Sequence, residues 1–555
     1  MVKNLQAKVE DRLINHIKES IEKAVKNGEI ELEEIPEVNV EVPREKEHGD
    51  YATNIALAAA GEIGMNPRQL AEIIVNNLSA PEVEDVSIAG PGFINFKMSS
   101  RWLYDNLELI QKLGKDYGKV DYGKGKKVQI EFVSANPTGP LHVGHSRGAV
   151  VGDVLASILK TAGFKVEKEY YINDAGNQMD IIGKSTLLRY REILGEEIEM
   201  PENVYAGEYV KEIAEELYEE YGDSLLAKDE NKAIEICREF AYKKMLKNIK
   251  RDLKEFGIEF DTWFSERDLH DGKIKSAVEM LRDKGFIYEK EGALWFKSTA
   301  FGDDKDRVII KSDNSPTYLA ADIAYHLDKL ERGFDKLINI WGADHHGYIP
   351  RMKAVIEAFG YDRDTLEVII VQMVTLLRRG KKMPMSKRAG SFVTMREVNK
   401  EVGTDAARYY YIMRSTDSHL DFDLELAKEE STNNPVYYVQ YAHARIHSIL
   451  ENIPAEFSED KADLSLLTDQ TEIDLMKTLA SYPEEIKLSA EARQPHHITG
   501  YAYDLATAFH GFYNNCRVLT EDEELSKARI YLVKSARQVL RNVLSLLGIT
   551  APDQM

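Results

Sequence analysis

Ser134-Ala-Asn-Pro-Thr-Gly-Pro-Leu-His-Val-Gly-His145 decides the fold of this chain. Residues 128–133, just before it, read as a buried strand, and residues 141–162 read as a helix stopped by Gly163. Val150, Val154 and Ile158, with Val151, Leu155 and Leu159, give that helix a broad apolar stripe. Pro137, Gly139 and Pro140 turn the chain tightly between the two elements. A strand, a Pro/Gly loop and a helix start in that order form an anion-binding corner of a parallel α/β sheet. His142 and His145 stand three apart at the helix start, on one face, where backbone N–H groups and the helix dipole favour negative charge. Gly144 between them is expected to leave room for a ligand near the backbone.

Outward from this corner the pattern alternates strand and helix from Lys126 to about Leu424, which predicts a parallel sheet. Residues 337–341 and 368–374 read as two further buried strands. The stretch from about 185 to 300 reads as largely helical. Residues 1–117 mix helical segments (5–25 and 67–78) with strand-like pieces at 83–88 and 93–97, and the Gly- and charge-rich segment 112–125 reads as a linker. Beyond about Ser431 the pattern is almost wholly helical, as at 436–451, 498–515 and 526–547, and reads as a bundle. Three domains follow: an α+β unit at 1–117, a Rossmann-type α/β unit with helical insertions at 118–430, and an all-α bundle at 431–555.

A second polar element, Met385-Ser-Lys-Arg388, follows the strand at 368–374 and the basic run Arg378-Arg-Gly-Lys-Lys382, with Gly390 beyond to keep the loop mobile. A lysine in such a loop can reach the β- and γ-phosphates of a nucleotide and stabilise a departing pyrophosphate. Each element is weak alone: paired histidines also cap structural loops, and a Lys-Arg pair in a polar loop is commonly a solvated face. Glu131 on the strand before the first loop, and Tyr318 and Asp322 four apart on one helical face, could line a pocket for a planar cation. Equally, Glu131 could serve a structural salt bridge and Tyr318 a core.

Composition narrows the class. The chain is 43% hydrophobic and 30% charged, as in an ordinary globular protein. No apolar run approaches the roughly 20 residues of a membrane span. Residues 1–27 carry acids along an amphipathic pattern, which argues against a signal or transit peptide. Cys237 and Cys516 stand far apart without a CxxC pair, so neither a disulfide framework nor a structural zinc is expected, and a reducing cytoplasm suits the chain. The net charge of −22 votes against nucleic acid, and residues 431–555 hold 11 Lys and Arg against 17 Asp and Glu. RNA bound through local basic patches, stacking and shape remains compatible with it.

Taken together, the His142-Val-Gly-His145 and Met385-Ser-Lys-Arg388 elements resemble the paired HIGH and KMSKS motifs of class I aminoacyl-tRNA synthetases, and their surroundings resemble the arginyl family. Glu169-Tyr-Tyr-Ile-Asn-Asp-Ala-Gly-Asn-Gln178, Trp341-Gly-Ala-Asp-His-His346 and Asp405-Ala-Ala-Arg408 are similar to further stretches of that family. The last is similar to its DALR element, and His48-Gly-Asp-Tyr-Ala-Thr-Asn54 resembles its N-terminal domain. The likeness runs along essentially the whole chain in the expected order. One departure is Pro384, which replaces the first lysine of KMSKS and leaves its charge to Lys387, aided by Lys381 or Lys382.

The resemblance implies an arginine–tRNA ligase that uses ATP with Mg²⁺, L-arginine and tRNA(Arg), with no separate protein-bound metal, read here as a monomer. It implies catalysis by His142, His145 and Lys387. ATP would meet Pro137, Gly139, His142, Gly144, His145, Gly342, Asp344, His345, Gln372, Met373, Val374, Ser386 and Lys387. Arginine would meet Glu131, Ser134, Asn136, His145, Tyr318, Asp322 and His346, with Tyr318 and Asp322 at the guanidinium and Asn136 at the α-amino group. Asn54 would face the tRNA elbow, while Tyr438 and Tyr441 could stack on anticodon bases or belong to the bundle core. It further implies that amino-acid activation requires tRNA. Two rivals stay open: another HxGH nucleotidyltransferase or synthetase of different specificity, and a silent paralogue that only binds tRNA or a partner protein.

Overall fold

The structure, a computed structural model, describes residues 5–43, 45, 48–383, 393–454 and 462–555. Its centre is a five-stranded parallel sheet, built from β1 (Lys127–Glu131), β2 (Lys165–Ile172), β3 (Thr262–Ser265), β4 (Lys336–Gly342) and β5 (Leu366–Val371). The spatial order is β5-β4-β1-β2-β3. Every neighbouring pair is parallel. Two βαβ halves thus diverge from β1 and β4, and the crevice above the carboxyl ends of these adjacent strands is where such sheets take nucleotides. Helix α1 (Val143–Thr161) leaves β1 and helix α2 (Tyr318–Glu331) precedes β4. Val150, Val151, Val154, Leu155, Ile158 and Leu159 of α1 are all buried, as their spacing predicts.

Three readings change on contact with the structure. The strand expected at 368–374 is two strands: β5 ends at Val371, and Val374–Arg378 pairs in parallel with Leu420–Asp423 in a separate small sheet. The region 185–300 holds the helices Glu208–Tyr221 and Glu230–Glu255, but also β3 and the antiparallel strands Ile287–Lys290 and Ala293–Phe296, which join Arg307–Ile310. Four-residue strands are too short to show a period against longer helical neighbours. Finally, the segment 112–125 is tied down: a helix runs through Leu113, and Tyr117 is buried with its hydroxyl donating to Leu479 O at 2.8 Å.

The N-terminal unit is a three-stranded antiparallel sheet (Tyr51–Thr53, Phe93–Met98, Val83–Ala89) covered by the helices Leu5–Lys26, Ile55–Ile63 and Pro67–Asn77. It rests on the C-terminal bundle of Pro435–Glu451, Gln470–Ala492, His496–Asn515 and Glu523–Leu547, through the Lys477–Asp50 ion pair among other contacts. Among the described residues no helix is long and apolar enough to cross a membrane. Cys237 and Cys516 are both buried and unbridged.

Candidate active site

The carboxyl end of β1 carries the site. Val133 (φ +68°) and Ser134 (φ +41°) both adopt left-handed backbone, costly for L residues and most of all for β-branched Val133. This reversal turns the Ser134 hydroxyl back to donate to Glu131 Oε1 at 2.9 Å, while its oxygen accepts the Tyr171 N–H at 3.1 Å. Beyond it, Tyr170 donates to Ala135 O at 2.7 Å and Tyr209 to Thr138 O at 2.9 Å, so two phenols hold the loop from below. Pro137 is buried, and a side chain on Gly139 would press on the Tyr209 hydroxyl, 3.3 Å away. Asn136 donates to Gln178 Oε1 at 2.5 Å, linking the loop to the next strand–helix junction.

His142 is the N-cap of α1, and the two histidines form a reciprocal capping box. His142 Nδ1 accepts from Gly144 N–H at 3.1 Å, and His145 Nδ1 accepts from His142 N–H at 3.2 Å. The rings stack with centroids 3.9 Å apart. Because each Nδ1 accepts a backbone proton, each neutral ring carries its own proton on Nε2. The pair is therefore set as two Nε2–H donors above the positive end of a helix. Gly144 serves this packing: a Cβ there would lie 2.9 Å from the His142 ring.

The segment after the second motif is fastened to this corner. Val143 N–H donates to Val393 O at 3.2 Å, and Met395 N–H donates to Leu141 O at 2.9 Å. On the other side, Met383 N–H donates to Leu376 O at 2.9 Å. Ser386 and Lys387 lie outside the described residues; the described chain resumes at Val393, beside the His142 loop. Arg147 of α1, fully buried, adds a cross-tie by donating to Gln372 O at 2.9 Å and to Ser415 O and Ser418 O, each at 2.7 Å. With no carboxylate among these acceptors, burial pulls its guanidinium down to about 10. The tripeptide Gln372-Met373-Val374 thus sits under α1, with the Met373 side chain exposed and Val374 buried.

Next to the His142 loop lies an acidic pocket. Asp322 on α2 accepts a hydrogen bond from the Tyr348 hydroxyl. Burial, followed by the negative charges of Glu131 and Glu266, pushes its carboxyl up to about 7 against the opposing Tyr348 bond. Glu266, at the end of β3, is buried; desolvation first, and Asp174 further, hold it above the usual carboxylate range despite a bond from Tyr171. Tyr171 is buried and Tyr348 partly buried, and both phenols are raised by desolvation and by these acids. Asp322 and Glu266 influence one another, and neither has a Lys or Arg within ion-pair distance among the described residues, which makes them a receptor for a positive, planar donor.

Glu131 has a partner within the chain. Its Oε2 lies 2.5 Å from Lys329 Nζ, and the lysine is wholly buried. Lys329 also donates to Asn339 Oδ1 at 3.1 Å; the Asn339 amide reaches His326 Nε2 at 3.0 Å, and His326 Nδ1 meets Asp322 O at 2.9 Å. Burial, with Lys329 beside it, depresses His326 to about 3, so this ring is neutral. Glu131 therefore anchors a buried floor, which is the structural alternative that its sequence position left open. Tyr318, expected either in the pocket or in a core, is exposed at the start of α2, one turn before Asp322. Gly342 ends β4, and Asp344, His345 and His346 stand exposed in the turn after it, with His345 Nε2 3.7 Å from Asp344 Oδ2.

Glu266, Tyr171 and Tyr348 escaped the sequence reading. The usable signal was position: Glu131, Glu266 and Gly342 all sit at carboxyl ends of strands in one sheet, but β3 itself had not been recognised. Farther away, Asn54 is exposed and caps the helix Ile55–Ile63 without a side-chain bond. Tyr438 and Tyr441 are half-buried: Tyr438 packs 5.0 Å from Tyr503 and 4.8 Å from His510, and Arg445 covers Tyr441 at 5.1 Å. Asp405-Ala-Ala-Arg408 is a joint, with Arg408 buried against Asp153 Oδ2 at 2.7 Å.

Comparison with known proteins places the chain in a family. The chain matches the family models described as arginyl tRNA synthetase N terminal domain over residues 11–98, tRNA synthetases class I (R), catalytic domain over 108–438, and DALR anticodon binding domain over 439–555. It is 50% identical to the arginine–tRNA ligase of Bacillus subtilis over the full length of both chains. It is likewise 50% identical to that of Desulforamulus reducens, over 98% of this chain and 100% of the relative. Among solved structures it is similar to a putative arginyl-tRNA synthetase from Campylobacter jejuni, with TM-score 0.77 and 41% identity over 82% of this chain and 100% of that one. Its fold is also that of the Thermus thermophilus arginyl-tRNA synthetase, with TM-score 0.75 and 22% identity over 98% and 100% of the two chains. The chain belongs to the arginyl-tRNA synthetase family of class I aminoacyl-tRNA synthetases.

Proposed function

We propose that this protein is an arginine–tRNA ligase, which activates L-arginine with ATP and transfers the arginyl group to the terminal adenosine of tRNA(Arg). The observation that carries the specificity is the acidic pocket of Asp322 and Glu266, set beside the His142–His145 donors at the switch point of the sheet. A guanidinium is permanently charged and offers five donors, so it satisfies carboxylates that otherwise repel one another. Tyr318 would close over it from the rim, while Asn136 and Ser134 face the α-amino end and His346 the opposite lip.

The arginine carboxylate is the nucleophile: it attacks the α-phosphorus of ATP, and the bond to pyrophosphate breaks as arginyl-adenylate forms. The Nε2–H groups of His142 and His145 and the start of α1 would hold phosphate oxygens as charge develops on them. Lys387 and Ser386 would attend the leaving pyrophosphate from the segment tied to the same corner at Val393. Gly342, Asp344, His345 and the Gln372-Met373-Val374 strand would hold the adenosine. Mg²⁺ would arrive with the triphosphate and offset part of its negative charge. A hydroxyl of the tRNA's terminal ribose then displaces AMP from the adenylate.

The regions 1–117, 118–430 and 431–555 serve in this reading as elbow-contacting, catalytic and anticodon-binding domains, with Asn54 at the elbow and Tyr438 and Tyr441 at the anticodon. The enzyme is read as a cytoplasmic monomer. Pyrophosphate exchange driven by arginine and by no other amino acid, together with charging of tRNA(Arg), tests the proposal; exchange with a different amino acid overturns it.

A further inference from the structure

The chain is strongly acidic, and so is its C-terminal bundle, yet the proposed substrate is a polyanion. One helix departs from this balance. Within Glu230–Glu255, the segment 243–254 holds Lys243, Lys244, Lys247, Lys250, Arg251 and Lys254 against the single acid Asp252. Lys243, Lys247, Lys250 and Lys254 fall at i, i+4, i+7 and i+11, which is one helical face, and all four are exposed. At about 1.5 Å per residue they span roughly 16 Å in steps of about 5–6 Å. That spacing is of the order of the distance between neighbouring phosphates on one nucleic-acid strand.

The two other cations of this segment are each ion-paired within the chain. Lys244 meets Glu216 at 2.6 Å and Arg251 meets Asp252 at 2.8 Å. Among the described residues no carboxylate lies within ion-pair distance of Lys243, Lys247 or Lys250, and Lys250 is held over the Trp263 ring at 4.5 Å. Lys254 lies 3.9 Å from Glu259, with both side chains largely exposed.

The course of the helix gives the stripe a direction. Its lower end meets the bundle: Phe256 O and Leu547 O both accept from Arg408. Midway along the helix, beside Lys243, it meets the rim of the acidic pocket: Tyr242 lies under Arg267 at 4.8 Å, and Arg267 donates to Asp174 O at 2.9 Å, at the carboxyl end of β2. A cationic row, three of whose four lysines have no ion-pair partner among the described residues, thus leads from the bundle toward the catalytic crevice, past the edge strand β3.

We propose that Lys243, Lys247, Lys250 and Lys254 form a phosphate-contacting track for the sugar–phosphate backbone of the tRNA between its anticodon-bound end and its reactive end. The track rests on the ligase reading and adds to it the surface that offsets the acidity of the bundle. Each such contact releases condensed counterions, contributing about 0.7–0.9 to the slope of log Kd against log salt concentration.

The test compares the full-length protein with the triple variant Lys243→Ala/Lys247→Ala/Lys250→Ala, and with the same three positions changed to Arg, in tRNA(Arg) binding from low to high salt. The expected result is an alanine variant with a salt slope shallower by about 2–3 and binding at least about tenfold weaker at low salt, with the arginine variant close to the parent. Arginine-dependent pyrophosphate exchange at saturating tRNA should be unchanged in both. An alanine variant with the parent's slope and affinity would overturn the track while leaving the ligase intact. Absence of arginine-dependent exchange in the parent protein would instead overturn the ligase reading.

Discussion

Asp153, in the middle of the helix that begins with the histidine pair, binds Arg408 of the bundle joint at 2.7 Å and Lys168 at 3.0 Å. The Arg408 guanidinium is buried, and its remaining donors reach Phe256 O and Leu547 O. One side chain therefore joins α1, the helix Glu230–Glu255 and the last helix of the bundle. The fit is close: a Cβ on Gly548 (φ +68°) would lie 2.3 Å from Arg408. Removing one partner of a buried pair strands the other, at a cost of roughly 3–5 kcal/mol. Asp153→Ala should accordingly lower the midpoint of thermal unfolding by several degrees in calorimetry, and Asp153→Asn by less. An unchanged midpoint would show that the joint does not hold the domains.

The carboxyl of Asp322 gives arginine binding a pH signature. Its value of about 7 stands far above that of an exposed aspartate, so it keeps its proton at pH values where the unfolded chain has lost it. A group raised in this way detracts from stability as pH climbs from about 4 toward 7. Arginine reverses the balance, because the guanidinium favours the ionised form. Calorimetry in buffers of different ionisation heat should show proton release on arginine binding below about pH 7, fading above pH 8. Asp322→Asn should abolish the release and weaken arginine by 10²-fold or more, the cost of about 3 kcal/mol for a charged hydrogen bond.

Tyr348→Phe removes the hydroxyl that lowers Asp322. Its arginine KM should therefore rise steeply on acidification from a higher pH than in the parent, with the two proteins converging at alkaline pH. Parallel profiles for the two would contradict the assigned link.

Lys329 and Glu131 supply a second buried pair beneath the pocket. Lys329→Met leaves Glu131 uncompensated and should destabilise by about 3–5 kcal/mol. The double variant Lys329→Met/Glu131→Gln should recover part of this in urea titrations. A double variant no more stable than the single would show that the pair is not coupled.

The histidine pair should act on the chemical step. His142→Ala and His145→Ala should each reduce kcat for exchange by about 10²–10³, the range for loss of one preorganised donor. His145→Ala also removes the Nδ1 that accepts the His142 N–H, so its effect on ATP KM should be larger. Equal effects on both parameters would contradict the capping arrangement.

Local chemistry made the corner legible in advance. Pro137, Gly139, the two histidines and the spacing from Val150 to Leu159 act within one strand–loop–helix unit, where sequence neighbours are spatial neighbours. What escaped depends on partners remote in sequence. Lys329 and Arg147 look like solvated cations until Glu131, 198 residues away, and the carbonyls at 372 and 415–418 surround them. Glu266 lacked context because β3, four residues at a sheet edge, is too short to show a period. The expected linker at 112–125 is Gly-rich, yet Tyr117 anchors it through contacts that no local pattern reveals.

The central claim is that the acidic pocket beside the His142 loop selects arginine for adenylation. Amino-acid-dependent ATP–pyrophosphate exchange, run with each standard amino acid and with or without tRNA(Arg), tests it most directly. The account predicts exchange with arginine alone among the amino acids when tRNA is present. Exchange driven by another amino acid, or none with arginine under those conditions, would contradict it.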